Sequence, residues 1–134
     1  MERSKILIIV STLIYPFLLM FGTYLILNGD LSPGGGFQGG VLFATSFFIR
    51  YLLSSKDPFN LVLLARFEKL LYLLLLLIGS VSLLIHQRFF TNFLVGNPWI
   101  APRFFLVLLN FIIGFKVTLG VISIISSFVE EGEL

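Results

Sequence analysis

Apolar residues run along this chain in four blocks, about 6–27, 37–53, 68–86 and 103–128, separated by short polar or glycine-rich breaks. A helix needs about 20 predominantly apolar residues to cross the hydrocarbon core of a bilayer. Each block comes near that length, and each predicts a membrane-spanning helix. Barrel strands would alternate with period two, and no such alternation is seen. In lipid only helices and closed barrels satisfy their backbone groups. The expected fold is all-α, an integral membrane bundle of four transmembrane helices forming a single domain over residues 1–134. The first block is too long for a cleaved leader, and no small-residue cleavage site follows it, so it reads as a retained helix. Pro16 falls inside it and predicts a kink. The second block is the shortest and opens on glycines. Residues 54–60 (Ser-Ser-Lys-Asp-Pro-Phe-Asn) break the second block from the third. Residues 61–69 read either as an interfacial helix or as the early part of a long third span.

The basic residues orient these helices. Arg3, Lys5, Arg50, Lys56, Arg66 and Lys69 fall on one side, and Arg88 and Arg103 on the other. Lys and Arg accumulate in cytoplasmic loops, so six against two places both termini in the cytoplasm. Tyr24, Tyr51 and Trp99 lie near the expected interfaces, where amphipathic rings prefer to sit. Arg66, Glu68 and Lys69 read as a charged cluster on the cytoplasmic face. His86 reads as a solvated residue at the opposite end of the third span. Ser11, Thr12, Thr23, Ser80 and Ser82 are expected to bond back to their own helices.

Composition sharpens the class. Hydrophobic residues make up 57% of the 134 and charged residues 12%, against roughly 25% charged in an ordinary soluble domain. A small globular fold buries only about two-thirds of the surface its chain exposes, so lipid is the remaining solvent. The net charge of +2 is too small to suggest a nucleic-acid partner. There is no cysteine and a single histidine, which removes thiolate chemistry, Fe–S ligation and histidine-rich metal sites from this chain. No cofactor and no bond chemistry are expected of it.

Residues 28–40, Asn-Gly-Asp-Leu-Ser-Pro-Gly-Gly-Gly-Phe-Gln-Gly-Gly, hold six of the twelve glycines. Ser32 can cap a helix that starts at Pro33. The glycines leave backbone groups free near membrane depth, which survives only in packed protein or along a wet cavity. Three readings arise. A phosphate loop would need Lys and then Ser or Thr after the glycines, and Phe37-Gln38 stand there instead. A structural turn built on Pro33, Gly34, Gly35, Gly36, Phe37, Gly39 and Gly40 would let helices pack closely, as the spacings Gly35 to Gly39 and Gly36 to Gly40 suggest. A part of an ion or water path would use Asp30 and Gln38 as its polar groups, with Thr45 on the helix that the loop opens.

Lys116 is the ionisable residue expected deepest in a span. An ammonium at mid-bilayer costs about 2.5 to 3.5 kcal/mol on insertion scales. Neither Asn110 nor Thr118 can neutralise it. It reads as a relay on a proton or cation path, or as one half of an ion pair with a carboxylate on a partner subunit, or as a side chain that snorkels from a shifted span.

The stretch NGDLSPGGGFQGGVLFA over residues 28–44 resembles the signature of the MnhB-type subunit family of Mrp-type multisubunit sodium/proton antiporters. The length and the four-helix plan match over essentially the whole chain. The resemblance implies a small, non-catalytic subunit of a cation/proton antiporter module in a prokaryotic cell membrane. Sodium ions and protons would be the transported ions, and other antiporter membrane subunits and the lipid bilayer its partners. Such modules also occur within complexes that carry hydrogenase-like or Fe–S redox subunits, as in archaeal membrane-bound hydrogenases and sulfur-reducing relatives. In that family the fourth span commonly shows Phe-Asp-x-Gly-Val. Here Phe111-Ile112-Ile113-Gly114-Phe115 stands in its place, so the acidic position is Ile112 and Lys116 follows. The run from Asn110 to Lys116 looks more like the hydrogenase-type version. A scaffold that clamps partner subunits and touches no ion is the competing expectation.

Overall fold

A computed structural model describes residues 4–53, 60–96 and 102–132. These residues form four helices and no strand: α1 (Lys5–Leu27), α2 (Gly36–Leu53), α3 (Leu61–His86) and α4 (Pro102–Gly132). Three stretches, Lys5–Leu27, Val62–His86 and Pro102–Val129, are long and apolar enough to cross a membrane. The 18-residue α2 is the central element. It packs against α1 on one side and α4 on the other, and α3 packs against the far side of α4. Helix α1 also touches α4, where Ile26 lies against Gly114, so α1, α2 and α4 meet together and α3 joins them through α4. A helix screened by two neighbours can carry Gly, Ser and Thr on its packed faces, where an edge helix meets lipid with Leu and Phe. Gly36, Gly39, Gly40, Ala44 and Ser46 of α2 are accordingly buried.

The helix boundaries have local causes. At the start of α3, Asn60 accepts a hydrogen bond on its side-chain oxygen from the Leu63 N–H at 3.1 Å. That cap starts α3 at Leu61, so residues 61–69 are the early part of a long third helix. Gln87 ends it in the left-handed conformation, with its N–H bonded to the Leu83 carbonyl. The hydroxyl of Ser82, fully buried, does not bond back to its own helix as expected. It donates to the carbonyls of Arg88 and Thr91 at 2.9 and 2.8 Å, folding the loop after α3 onto the helix end. Thr12 and Thr23 do bond back, to Ile8 and Leu19. Helix α1 continues through Pro16.

The interior is small: Leu25, Ile26, Ala44, Phe105, Ile112 and Ile122. Most large apolar side chains of α1 and α3 face outward. In water that would be untenable, but in lipid it is the expected surface. Residues 54–59 of the expected cytoplasmic break, and the anchor Trp99, lie outside the described residues.

Candidate functional site

The glycine segment makes a seam. A Cβ placed on Gly36 would fall against the carbonyl oxygen of Asn110, and one on Gly40 against that of Gly114. Both residues face α4. A Cβ on Gly39 would meet Ile26 at 2.5 Å and the Gly22 carbonyl at 2.8 Å, so this residue faces α1. The spacing of Gly36 to Gly40 therefore puts two bare backbones together, and Gly39 turns a third bare position to the opposite neighbour. Thr118, buried on α4, donates its hydroxyl across the seam to the Gly40 carbonyl at 3.0 Å and back to Gly114 at 2.8 Å.

The start of α2 has a cap supplied from another helix. Helix N-termini leave backbone N–H groups without intrahelical partners. Here the Gly36 N–H donates to the Asn110 side-chain oxygen of α4 at 3.3 Å. Ser32 was expected to cap a helix beginning at Pro33. Instead, α2 begins at Gly36, and the Ser32 hydroxyl donates to the Asn28 carbonyl at the end of α1, 3.0 Å away.

Asp30 lies in the same turn. Its Oδ2 pairs with Arg103 Nε at 2.8 Å, and its side chain is 9% exposed. Arg103 also donates to the Leu27 carbonyl and the Asn28 side-chain oxygen at 3.0 and 3.1 Å. One guanidinium thus clamps the end of α1 and the loop to the first turn of α4, as a planar multi-donor group can. The other oxygen of Asp30, Oδ1, is buried without a hydrogen-bond donor among the described residues. Gln38 is exposed. It stands between an apolar cleft of about 380 Å³ along Phe21, Leu25 and Val41 and a more polar one of about 400 Å³ along Gly34–Phe37 and Asn110. Thr45 is exposed and bonds back to Val41 at 2.9 Å. Its hydroxyl is therefore engaged within α2, away from the cleft that Gln38 and Asn110 share.

Lys116 forms a second centre. It sits 14 residues into the 31-residue α4, about 21 Å along the axis at 1.5 Å per residue. Glu68 of α3 faces it, with Nζ 3.5 Å from Oε1, and the Tyr72 ring lies 5.7 Å from the same Nζ. The pair's side chains are 31% and 33% exposed. Two expectations are corrected here. Lys116 has a carboxylate within its own chain, and Glu68 turns to α4 instead of joining a surface cluster with Arg66 and Lys69. Glu68 lies two turns inside α3, since that helix begins at Leu61. Its carboxylate rests over Gly120, where an added Cβ would lie 3.4 Å from Oε1. Hydropathy passed over Glu68 because its sequence neighbours are basic, and Asn110 because it is uncharged. Asn110 could have been found from the glycine segment's need for a cap.

Ile112 is 5% exposed and lines an apolar cleft of about 530 Å³ with Phe67, Leu70, Leu71, Leu74, Leu108, Phe111, Phe115 and Leu119. No polar atom of the cleft could receive a carboxylate there. Among the described residues no three His, Cys, Asp or Glu side chains gather as a metal site would require.

Comparison with known proteins places this arrangement. Residues 6–123 match the family described as "Domain related to MnhB subunit of Na+/H+ antiporter". Proteins named as an antiporter subunit, mnhB2, from Staphylococcus aureus strains Newman, JH1 and Mu3 are each 31% identical over 103 residues. Those alignments cover 75% of this chain and 72% of each relative.

Proposed function

This chain belongs to the MnhB-related family of Na+/H+ antiporter subunits, a multi-pass component of the cell membrane, and from that premise we propose that it contributes directly to the ion path of a Mrp-type module as well as to its assembly. The observation that carries the reading is the Lys116–Glu68 pair at the middle of α4. A charged pair one-third exposed on the flank of a membrane helix cannot face hydrocarbon without a large cost. It needs a wet passage or a polar partner surface. Asp30 stands apart from this pair, in the turn before α2, where Arg103 already neutralises it. Both termini are cytoplasmic in this reading, and the whole chain is one domain. Protons and sodium ions are the transported species. The partners are other antiporter membrane subunits, joined by hydrogenase-like or Fe–S redox subunits where the module is redox-driven.

The seam favours a second role beside the first. Gly36, Gly39 and Gly40 hold α2 against two helices at close approach, which is scaffolding. The two roles are separated by Lys116→Ala in the assembled complex. An ion-path role predicts at least a tenfold loss of sodium/proton exchange with partner subunits still co-purifying. Unchanged exchange in an intact complex would leave scaffolding alone.

A further inference from the structure

We propose that the apolar cleft between α3 and α4 is a binding site for one anionic phospholipid, with an acyl chain lying in the cleft and the phosphate held by Arg66. The cleft, of about 530 Å³, is lined by apolar residues alone. Phe67, Leu70 and Phe111 along it are 51%, 59% and 49% exposed, so it opens outward, toward lipid. On α4 the lining runs from Leu108 to Leu119, about 16 Å at 1.5 Å per residue. One leaflet supplies about 15 Å of hydrocarbon, half of the full core. The cleft therefore matches a single acyl chain in length as well as in polarity.

A partner helix would want a different surface. Helices meet in lipid through small residues that let their backbones approach, as this chain does where Gly36, Gly39 and Gly40 meet α4 and α1. The α3–α4 cleft is lined by Leu, Ile and Phe, with no Gly, Ala, Ser or Thr. Charge at one end selects the headgroup. Arg66 stands one turn before Leu70, on the same side of α3, and five residues inside a helix that begins at Leu61. Its side chain leans toward that helix end and is long enough to carry the guanidinium to the headgroup layer. Arg66 and Lys69 are both exposed. Neither has a carboxylate partner among the described residues, because Glu68 between them is turned to Lys116. A guanidinium grips phosphate with parallel N–H donors, and two unpaired cations at one membrane surface favour a headgroup with net negative charge.

The test titrates the complete antiporter complex, in detergent micelles, with phosphatidylglycerol that carries a photoreactive group on one acyl chain, and maps the adducts by mass spectrometry. Adducts are expected on residues 67–74 and 108–119 of this chain, and they should saturate with lipid. Arg66→Gln changes an exposed side chain, so the complex should still assemble. Its half-saturating lipid concentration should rise about fivefold, the factor that one basic residue contributes near a charged membrane surface. Arg66→Lys should recover most of that loss. Leu74→Trp, which fills the cleft, should remove the adducts while Arg66 is still in place. Phosphatidylcholine bearing the same reactive chain should need a higher concentration than phosphatidylglycerol. No adducts at either segment would overturn the proposal and leave the cleft to a partner helix. Labelling that does not saturate, or that is equal for the two lipids and unchanged in Arg66→Gln, would also overturn it, as ordinary contact with surrounding lipid.

Discussion

Three successive glycines, Gly34, Gly35 and Gly36, are indistinguishable by residue type, but the structure ranks the last two. An Ala side chain at Gly35 would find its nearest neighbour, the Asn110 side-chain oxygen, at 3.4 Å, an ordinary contact. At Gly36 it would fall on the Asn110 carbonyl and lie 3.0 Å from Ile113 Cβ. Neither obstacle is a flexible side-chain end, so α2 and α4 must separate. Overpacking of this kind costs about 1–3 kcal/mol. The Gly36–Asn110 hydrogen bond, stretched at 3.3 Å already, would go with it, at about 0.5–1.5 kcal/mol. Ala gains roughly 0.8–1 kcal/mol over Gly in a helix interior, and less at Gly36, which opens α2, so only a small part of this is offset. The net expectation for Gly36→Ala is a loss of about 1–3 kcal/mol, or roughly 2–10 °C in melting temperature for a domain of this size. Gly35→Ala should change stability by less than about 0.5 kcal/mol. Thermal unfolding of the two variants in detergent, followed by intrinsic fluorescence, compares them directly. Equal melting temperatures would refute the assignment of Gly36 to the α2–α4 contact.

Two other outcomes follow from the same packing. Arg103→Ala should cost more stability than Asp30→Asn, because it also frees the Leu27 carbonyl and the Asn28 side chain; a double-mutant cycle on thermal unfolding should give a coupling of about 1 kcal/mol, moderated by the 45% exposure of Arg103. Ile112→Asp, which restores the residue type common at this position in the resembling family, should destabilise the chain by about 3 kcal/mol or more at neutral pH. Its neighbours Phe67, Leu71, Leu108 and Phe115 offer the carboxylate no partner. Thermal unfolding of that variant at neutral and at acidic pH should show partial recovery on acidification, because the protonated acid is cheaper to bury. Equal stability at both would contradict the apolar surroundings assigned to Ile112.

Hydropathy alone determined the three long helices α1, α3 and α4, because a bilayer allows a chain of this composition few other solutions; the shorter α2 was read from its apolar run and its glycine-rich start. The dense glycine segment likewise marked its own importance, since so many residues without side chains near membrane depth require close neighbours. Its direction did not follow. Whether Gly39 meets α1 while Gly36 and Gly40 meet α4 depends on how α2 is rotated between its neighbours, and its own sequence holds no term for that. The ionic contacts were the least legible. Arg66, Glu68 and Lys69 stand together in sequence, but successive helix positions turn by about 100°, and Glu68 alone is brought to Lys116, 48 residues later. Asp30 and Arg103 meet across a still longer gap in sequence. The sequence marked Lys116 as a charge that needs water or a counter-charge, because burying an ammonium in lipid is costly. Only the packing of α3 against α4 decided that Glu68 supplies it, because pairing at 3.5 Å requires two separate helices to be set in register.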